Sequence, residues 1–303
     1  MSRIVAIAWA RLAGERPRAA GCNARLGDHG KKVAPGVAYV TCDDGAIGWG
    51  WSHVSREEAE RLLGTSLETA LVPSGGIAAS HRAIEYPLLD LLGKRAGLPV
   101  YALVSPRQPM PGAPLQVPCY DTSLYMDDLH LADDLAAADW MAAEAAEGWA
   151  RGQRAFKVKV GRGAMHMPLE AGTRRDIAVI RAIRRTIGPS ATLMLDANNG
   201  YNLGLTKSVL SEMADCAIYW MEEPFHEDAS YCRALKAWLN QEGLETLIAD
   251  GEGDASPRLL DWAREGVVDV IQYDIRGPGF SYWLELGPQL DAWGVRSAPH
   301  HYG

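Results

Sequence analysis

Three apolar runs in the second half of the chain each lead into an acidic residue. They are residues 191–195 before Asp196, residues 218–221 before Glu222, and residues 246–249 before the Asp250-Gly251-Glu252 motif. Segments of helix length separate these runs, and alternating strands and helices are typical of a parallel sheet. Because the carboxyl ends of parallel strands meet at one edge of the sheet, we predict that the three acids converge there.

The same alternation extends over residues 116–303 and contains seven strand units. The predicted strands lie near residues 117–120, 155–160, 191–195, 218–222, 246–249, 268–273 and 295–298. Seven or eight strand–helix units close most readily into a barrel, so the predicted fold class is α/β, a (β/α) TIM-type barrel. No strand is followed by the glycine fingerprint of a dinucleotide site, and no apolar run approaches the length of a transmembrane helix.

Residues 1–115 follow a different order, with strands first and helices afterwards. Strands are predicted near residues 4–10, 37–41 and 47–51, and helices from Ser55 and over residues 77–96. This order predicts a separate α+β domain, and the proline-rich segment 106–114 marks the linker to the barrel.

The long segment 13–32 carries neither a strand nor a helix signal. It contains glycines at 14, 21, 27 and 30 and several basic residues. Structureless segments of this length are usually functional lids or disordered surface loops, and both interpretations fit. We name residues 13–32 as the candidate active-site lid.

The charge and the cysteines restrict the partners and the compartment. Acidic residues outnumber basic ones by 38 to 30, and the net charge of −8 argues against nucleic acid or an anionic membrane as the main partner. The five cysteines are odd in number and lack metal-ligand spacing, as expected of reduced thiols in a cytoplasmic protein. The apolar run at residues 4–10 is short and favours a first strand over a signal peptide.

The predicted second strand of the barrel carries Lys157 and Lys159, and the period of two puts both side chains on one face. An isolated Lys-x-Lys is more often a solvated strand face, but an inward face opposite three acids favours a buried pair. The three acids offer only oxygen ligands, which suits Mg²⁺ rather than zinc. Each acid taken alone could instead be a helix cap or a surface charge.

Two further strand ends bring an acid next to a histidine. Asp274 follows the sixth strand and His300 follows the seventh. On neighbouring strands, Asp274 can accept a hydrogen bond from one ring nitrogen of His300, so that the other nitrogen faces the pocket as a candidate base. A lone histidine is more often a polar surface residue.

The predicted barrel strands carry, in chain order, Lys157-x-Lys159, Asp196, Glu222-Glu223-Pro224, Gly251-Glu252, Asp274 and His300. In this order the motifs resemble the enolase superfamily, specifically its mandelate racemase and muconate lactonizing enzyme-like branch. Residues 83–101 also resemble the last helix of that family's capping domain. The chain ends directly after the seventh strand, whereas the family has an eighth strand and a tail that returns to the cap.

The resemblance implies a role for each matching residue. Asp196, Glu222 and Glu252 would bind Mg²⁺, and Lys159 and His300 would be acid/base groups on opposite faces of the substrate. Lys157 and Asn198 would contact the substrate carboxylate or the outer shell of the metal, and Glu223 would be structural. We expect Lys157 and the metal to lower the pKa of Lys159 towards the working range.

The implied first step is abstraction of the proton α to a carboxylate, through an enediolate stabilised by Mg²⁺. The leading hypothesis is dehydration of a sugar acid to a 2-keto-3-deoxy acid. The alternatives are a racemase or epimerase of a 2-hydroxy acid and a metal-binding paralogue or fragment without catalysis. We expect a small anionic hydroxy-acid or sugar-acid substrate and a homo-oligomer. His226 is a candidate contact for a longer substrate, with a solvated loop residue as the alternative.

Overall fold

The computed structural model describes residues 2–72, 75–104 and 116–301. The N-terminal elements are the strands β1 (Ile4–Arg11), β2 (Gly14–Ala20), β3 (Gly30–Val33), β4 (Gly36–Cys42) and β5 (Ile47–Trp51), and the helices α1 (Arg56–Leu62), α2 (Leu67–Ala70), α3 (Glu85–Ala96) and α4 (Val100–Val104). A 3₁₀ turn over Ala79–Ile84 replaces the beginning of the long helix predicted over residues 77–96.

Strands β1, β4 and β5 form an antiparallel sheet in the order β1-β4-β5, and α3 packs against it. Gly48 and Gly50 allow this close approach, because a Cβ on either residue would collide with the backbone of α3. The predicted helix start at Ser55 is confirmed, since Ser55 and Glu58 form a capping box. This half has its own apolar core, which includes Ile4, Ile84 and Leu88.

The segment predicted to lack regular structure forms an antiparallel ribbon. Strand β2 pairs with β3, with Gly14 opposite Val33 and Glu15 opposite Lys32. The disordered alternative is therefore wrong for this segment. Contacts with the barrel help to hold the ribbon, since Arg18 donates to the carbonyl oxygen of Ser123 at 2.8 Å. Such distant contacts leave no periodic signal in the local sequence.

The C-terminal half alternates strands and helices as predicted. Its strands are β6 (Asp121–Leu124), β7 (Ala155–Lys159), β8 (Thr192–Asp196), β9 (Ile218–Glu222), β10 (Leu247–Asp250), β11 (Val270–Ile271) and β12 (Arg296–Ser297). Its helices are α5 (Asp134–Ala150), α6 (Leu169–Ile187), α7 (Leu203–Glu212), α8 (Ala229–Glu242), α9 (Leu259–Arg264) and α10 (Phe280–Trp293). The first strand begins at Asp121, so its predicted position at residues 117–120 is wrong.

The seven strands are parallel neighbours in chain order, from β6 at one edge to β12 at the other. Side chains from β8 to β11 form one small cluster, and Tyr120 and Ala298 from the two edges pack against it. The sheet is therefore curled, with helices packed around a larger core on its outer face. This arrangement confirms the predicted fold class, a TIM-type barrel with an α+β cap. The strands of the described ranges form an open part of such a barrel.

The cap rests on α10 of the barrel. Glu85 at the start of α3 accepts hydrogen bonds from the backbone N–H groups of Phe280 and Ser281, each at 2.7 Å. The proline-rich segment 106–114 lies outside the described residues, so the domain boundary after residue 115 stays a prediction. No helix in the described part of the chain combines the length and apolar character needed to cross a bilayer.

Candidate active site

A cavity of about 1820 Å³ lies where the carboxyl ends of the barrel strands face the cap. Lys157, Lys159, Glu252 and His300 line it from the barrel side. The β2–β3 ribbon forms part of its wall through residues that include Arg16, Arg18 and His29. The candidate lid therefore lies against the same cavity as the predicted acid/base groups.

The two lysines of β7 point to one face, as the period of two predicts. Lys157 is 2% and Lys159 is 4% exposed, so the solvated alternative for this pair is wrong. The Nζ of Lys159 donates to Asp196 at 2.5 Å, and the Nζ of Lys157 lies 3.2 Å from the same carboxylate and also contacts Glu222. Both ammonium groups are thus held by carboxylates on the two following strands.

The ion pairs set the protonation of the lysines. Burial disfavours a charged ammonium, but the neighbouring carboxylates outweigh it and raise the pKa of both lysines. For Lys159 the neighbouring carboxylates, chiefly Asp196, outweigh both burial and repulsion by Lys157. The predicted lowering of this pKa includes the charge of a bound cation and stays a prediction. The rings of Tyr120 and Tyr125 lie 5.5 Å from the ammonium groups of Lys157 and Lys159, respectively. Sequence reasoning did not identify either tyrosine.

The three strand-end carboxylates come together. Asp196, Glu222 and Glu252 each offer one oxygen, and these oxygens lie within 4.8 Å of one another. Asp196 and Glu222 are fully buried, whereas the Glu252 side chain is 21% exposed. Burial opposes ionisation, but the two lysines hold the pKa of Asp196 below its usual range. Burial and the charge of Asp196 raise the pKa of Glu222.

This cluster fits a hard divalent cation. Its donors are carboxylate oxygens, the ligands that Mg²⁺ prefers. Within the described ranges, Oε2 of Glu252 is buried without a hydrogen-bond partner. Gln272 and Trp220 donate to Oε2 of Glu222 at 2.7 and 3.1 Å, which orients that carboxylate. Three carboxylates face two ammonium groups, and this excess of acidic groups favours a bound cation.

The predicted Asp274–His300 pair is present at the other end of the sheet. The two residues form a parallel bridge, and Nδ1 of His300 lies 2.5 Å from Oδ1 of Asp274. With Asp274 as acceptor, Nδ1 carries the proton, and Nε2 lies on the other side of the ring, 3.4 Å from Oε1 of Glu252. His300 therefore presents Nε2 beside the carboxylate cluster.

Asn198 and Glu223 follow β8 and β9, respectively, and their side chains contact each other. Both have a left-handed backbone, with φ of 41° and 40°. Asn198 Nδ2 donates to Glu223 at 3.2 Å, and its backbone N–H donates to Asp196 at 3.0 Å. Burial and the charges of Asp196, Glu252 and Glu222 raise the pKa of Glu223 to about 8. The pKa of Glu223 therefore depends on the charges of the carboxylate cluster.

Asn198 and His226 do not line the cavity, and neither do the buried Asp196 and Glu222, so the predicted substrate contacts of Asn198 and His226 stay predictions. Asn198 is buried and turned towards Glu223, and His226 is exposed to solvent. Phe225, directly before His226, packs into the core. Trp51, Arg276 and His301 line the cavity instead. Trp51 belongs to the cap, so no local signal could place it here.

The fold and the site define a (β/α)-barrel protein with strand-end carboxylates, two buried lysines and a histidine–aspartate pair around one cavity. The family model described as "Enolase C-terminal domain-like" matches residues 140–303, which is more than half of the chain. The chain belongs to the enolase superfamily, in its mandelate racemase and muconate lactonizing enzyme-like branch.

Three relatives illustrate the range of this branch. Galacturonate dehydratase from a Geobacillus species, in a crystal structure with Mg, is 53% identical with a TM-score of 0.95 over 100% of this chain and 78% of that one. Its complex with D-galacturonate and 5-keto-4-deoxy-D-galacturonate gives 52% identity and a TM-score of 0.93 over 99% and 79% of the two chains. D-galactarolactone cycloisomerase of Agrobacterium fabrum is 28% identical over 88% of this chain and 71% of its own length. Arabinonate dehydratase of Saccharolobus solfataricus is 28% identical over 75% of this chain and 55% of its own length.

Proposed function

We propose that the protein is a Mg²⁺-dependent dehydratase of sugar acids, with hexuronates such as D-galacturonate as its substrates. One observation carries this proposal: Lys159 and His300 line the same cavity beside the carboxylate cluster. Lys159 ends β7 and His300 follows β12, with four strands of the curled sheet between β7 and β12. A substrate between them can exchange protons with two groups that approach from different directions.

The two lysines and the three carboxylates would have different roles in the first step. Lys157 is placed to attract the substrate carboxylate, and Lys159, in its neutral form, removes the proton from the α-carbon. When bound by Asp196, Glu222 and Glu252, Mg²⁺ would supply positive charge that stabilises the developing negative charge and favours neutral lysines. The pairs that Lys157 and Lys159 make with the carboxylates must open for this arrangement.

His300 would complete the reaction. Asp274 holds the imidazole by Nδ1, so a protonated His300 can deliver the proton on Nε2 to the hydroxyl on the β-carbon. The β-carbon–oxygen bond then breaks, one water leaves, and the resulting enol tautomerises to an α-keto acid. The sum is loss of one water, without any oxidant or reductant.

One of the two compounds bound in the Geobacillus structure has the pattern expected of a dehydration product. In a hexuronate the carboxylate is C6, so C5 is its α-carbon and C4 its β-carbon. A 5-keto-4-deoxy acid thus carries the keto group on the α-carbon and the deoxy position on the β-carbon. This is the arrangement of the 2-keto-3-deoxy acid expected from the sequence, numbered from the other end.

Epimerisation is the second candidate, because the same two groups serve it. If the proton returns to the α-carbon from the opposite face, the centre inverts and no water is lost. A racemase and an epimerase also match this chain, at 26% and 29% identity.

The test is incubation of the protein with Mg²⁺ and D-galacturonate, within a panel of uronic, aldonic and aldaric acids. We expect an α-keto acid, detected as its semicarbazone, with a mass lower than that of the substrate by one water. Lys159→Met is the control and should form none. Inversion of the α-carbon without loss of water would replace dehydration by epimerisation, and no reaction with any acid would refute both.

A further inference from the structure

Three side chains from distant parts of the chain stack on one another at the wall of the active-site cavity. Trp51 comes from the end of β5 in the cap, Arg276 follows β11, and His301 follows β12. The ring centroids of Trp51 and His301 are 4.5 Å apart with planes inclined by 28°. The Cζ of Arg276 lies 5.1 Å from the Trp51 ring. We call this group the Trp51 stack.

Two polar atoms of the Trp51 stack are buried without a hydrogen-bond partner in the described part of the chain. No hydrogen bond or ion pair there involves the guanidinium of Arg276, and its Nε and the Nε2 of His301 are both buried and unsatisfied. Buried donors are rarely left unpaired, and an unpaired one is unfavourable by about 1–3 kcal/mol. The aromatic contacts orient the guanidinium but do not satisfy its N–H groups.

Another arginine of the same cavity shows the contrast. Arg151 pairs with Asp121 and with Glu147, each at 3.7 Å, and its side chain is 58% exposed. Arg276 is a planar donor group held in place at the wall of the cavity, which is how a binding group for a polar ligand is built.

The position of the stack indicates which part of a ligand it meets. Arg276 follows Asp274 by two residues, and His301 follows His300, so the stack lies on the histidine side of the cavity. The carboxylate of the substrate belongs at Lys157 and the carboxylate cluster, on the other strands. The cavity of about 1820 Å³ also exceeds what a three-carbon acid can fill.

We propose that Arg276, held on Trp51 and His301, binds the hydroxyl oxygens of the sugar acid that lie far from its reacting carboxylate. This inference deepens the proposed function and rests on it. The guanidinium presents several N–H donors in one plane, which suits neighbouring oxygens of a polyol chain. Burial and the charge of Arg276 lower the pKa of His301, so its ring is neutral and can accept a hydrogen bond from a hydroxyl. The Trp51 stack thereby selects sugar acids over short 2-hydroxy acids.

Calorimetric titration of the Mg²⁺-loaded protein tests this inference separately from turnover. Two ligands are compared: D-galacturonate, and D-glycerate, which keeps the α-hydroxy carboxylate but lacks the distal carbons. Arg276→Met should weaken D-galacturonate by about 10- to 100-fold, the range for a lost hydrogen bond to a charged group. Binding of D-glycerate, measured directly or by competition, should change less than about twofold.

Two further variants complete the design. Trp51→Leu should also weaken D-galacturonate selectively, because it removes the support of the guanidinium. Arg151→Met removes a cation from the same cavity wall and should leave both affinities unchanged. Thermal unfolding of each variant shows whether the fold is retained.

The outcomes separate this inference from the proposed function. Equal weakening of both ligands would mean that Arg276 only supports the fold of the site, and unchanged affinity for D-galacturonate would mean that it binds no part of it; either result overturns the inference. If the wild type converts D-galacturonate and the Arg276→Met variant binds it as tightly as the wild type does, the proposed function stands and only the inference fails. If Arg276→Met weakens D-galacturonate selectively but the wild type forms no keto acid, the inference stands and the proposed function fails. A wild-type protein that does not bind D-galacturonate would overturn the inference.

Discussion

Replacement of Arg162 by methionine should destabilise the protein strongly, because Arg162 holds two buried carboxylates together. The side chain is fully buried, its Nε and Nη2 donate to Asp128, and its Nη1 donates to Asp176 at 2.6 Å. Asp176 also accepts from the backbone N–H of Gly161, at 2.9 Å, so the network fixes the turn that follows Lys159.

The structure sets the size of the effect. Removing one partner of a buried ion pair leaves an uncompensated charge and destabilises by about 3–5 kcal/mol. Some compensation persists, because the Tyr201 hydroxyl donates to Asp176 at 2.9 Å and Arg175 lies 3.9 Å from Asp128. We therefore expect Arg162→Met to lower the free energy of unfolding by about 3–4 kcal/mol at pH 7. The loss should shrink in acid, because burial raises the pKa of Asp176 and its carboxyl group can then take up a proton.

Urea unfolding followed by circular dichroism measures this change. Arg181→Met is the matched control, since Arg181 pairs with Asp215 at 2.9 Å on the exposed surface, where such pairs contribute about 0–1 kcal/mol. Adding Asp176→Asn to Arg162→Met should recover part of the loss, because one unpaired charge is removed. A loss below about 1 kcal/mol, or one no larger than that of the control, would refute the reasoning.

Three further predictions concern the site and its surroundings. Saturating Mg²⁺, at about 100 times its dissociation constant, should stabilise the wild type by about 2.7 kcal/mol in thermal unfolding. Glu252→Gln should lose most of this gain, and an equal gain in both proteins would contradict the metal site. In D₂O, Lys159→Ala should abolish exchange of the substrate α-proton for one configuration of the α-carbon, and His300→Asn should abolish it for the opposite configuration, as measured by NMR. Loss of exchange for both configurations in each variant would contradict the two-sided arrangement. Burial and the charge of Asp127 raise the pKa of Glu144 from 4.5 to about 7. Between these two pH values the native state binds more protons than the unfolded state, so the free energy of unfolding falls as the pH rises. Glu144→Gln should flatten this fall, and an unchanged pH profile of stability would show that Glu144 does not cause it.

The features that depend on neighbouring residues could be predicted from the sequence. The helix start at Ser55 could be predicted, because a serine cap with acidic residues in the first turn is a local signal. The period of two on β7 placed Lys157 and Lys159 on one face, and the apolar runs before Asp196 and Glu222 located β8 and β9. The chain order of these motifs also pointed to the enolase superfamily.

Only the tertiary structure decided which of these groups meet and in what state. Lys159 on β7 pairs with Asp196 on the neighbouring strand β8. The sign of the Lys159 pKa shift depends on the 2.5 Å separation between these two side chains rather than on the residue types alone. The Trp51 stack joins Trp51 to Arg276 and His301, which lie more than 200 positions later in the chain, and the side chain of His226 is exposed. Such outcomes follow from the packing of distant segments, which no local periodicity records, whereas strands and helices follow from the apolar pattern along the chain.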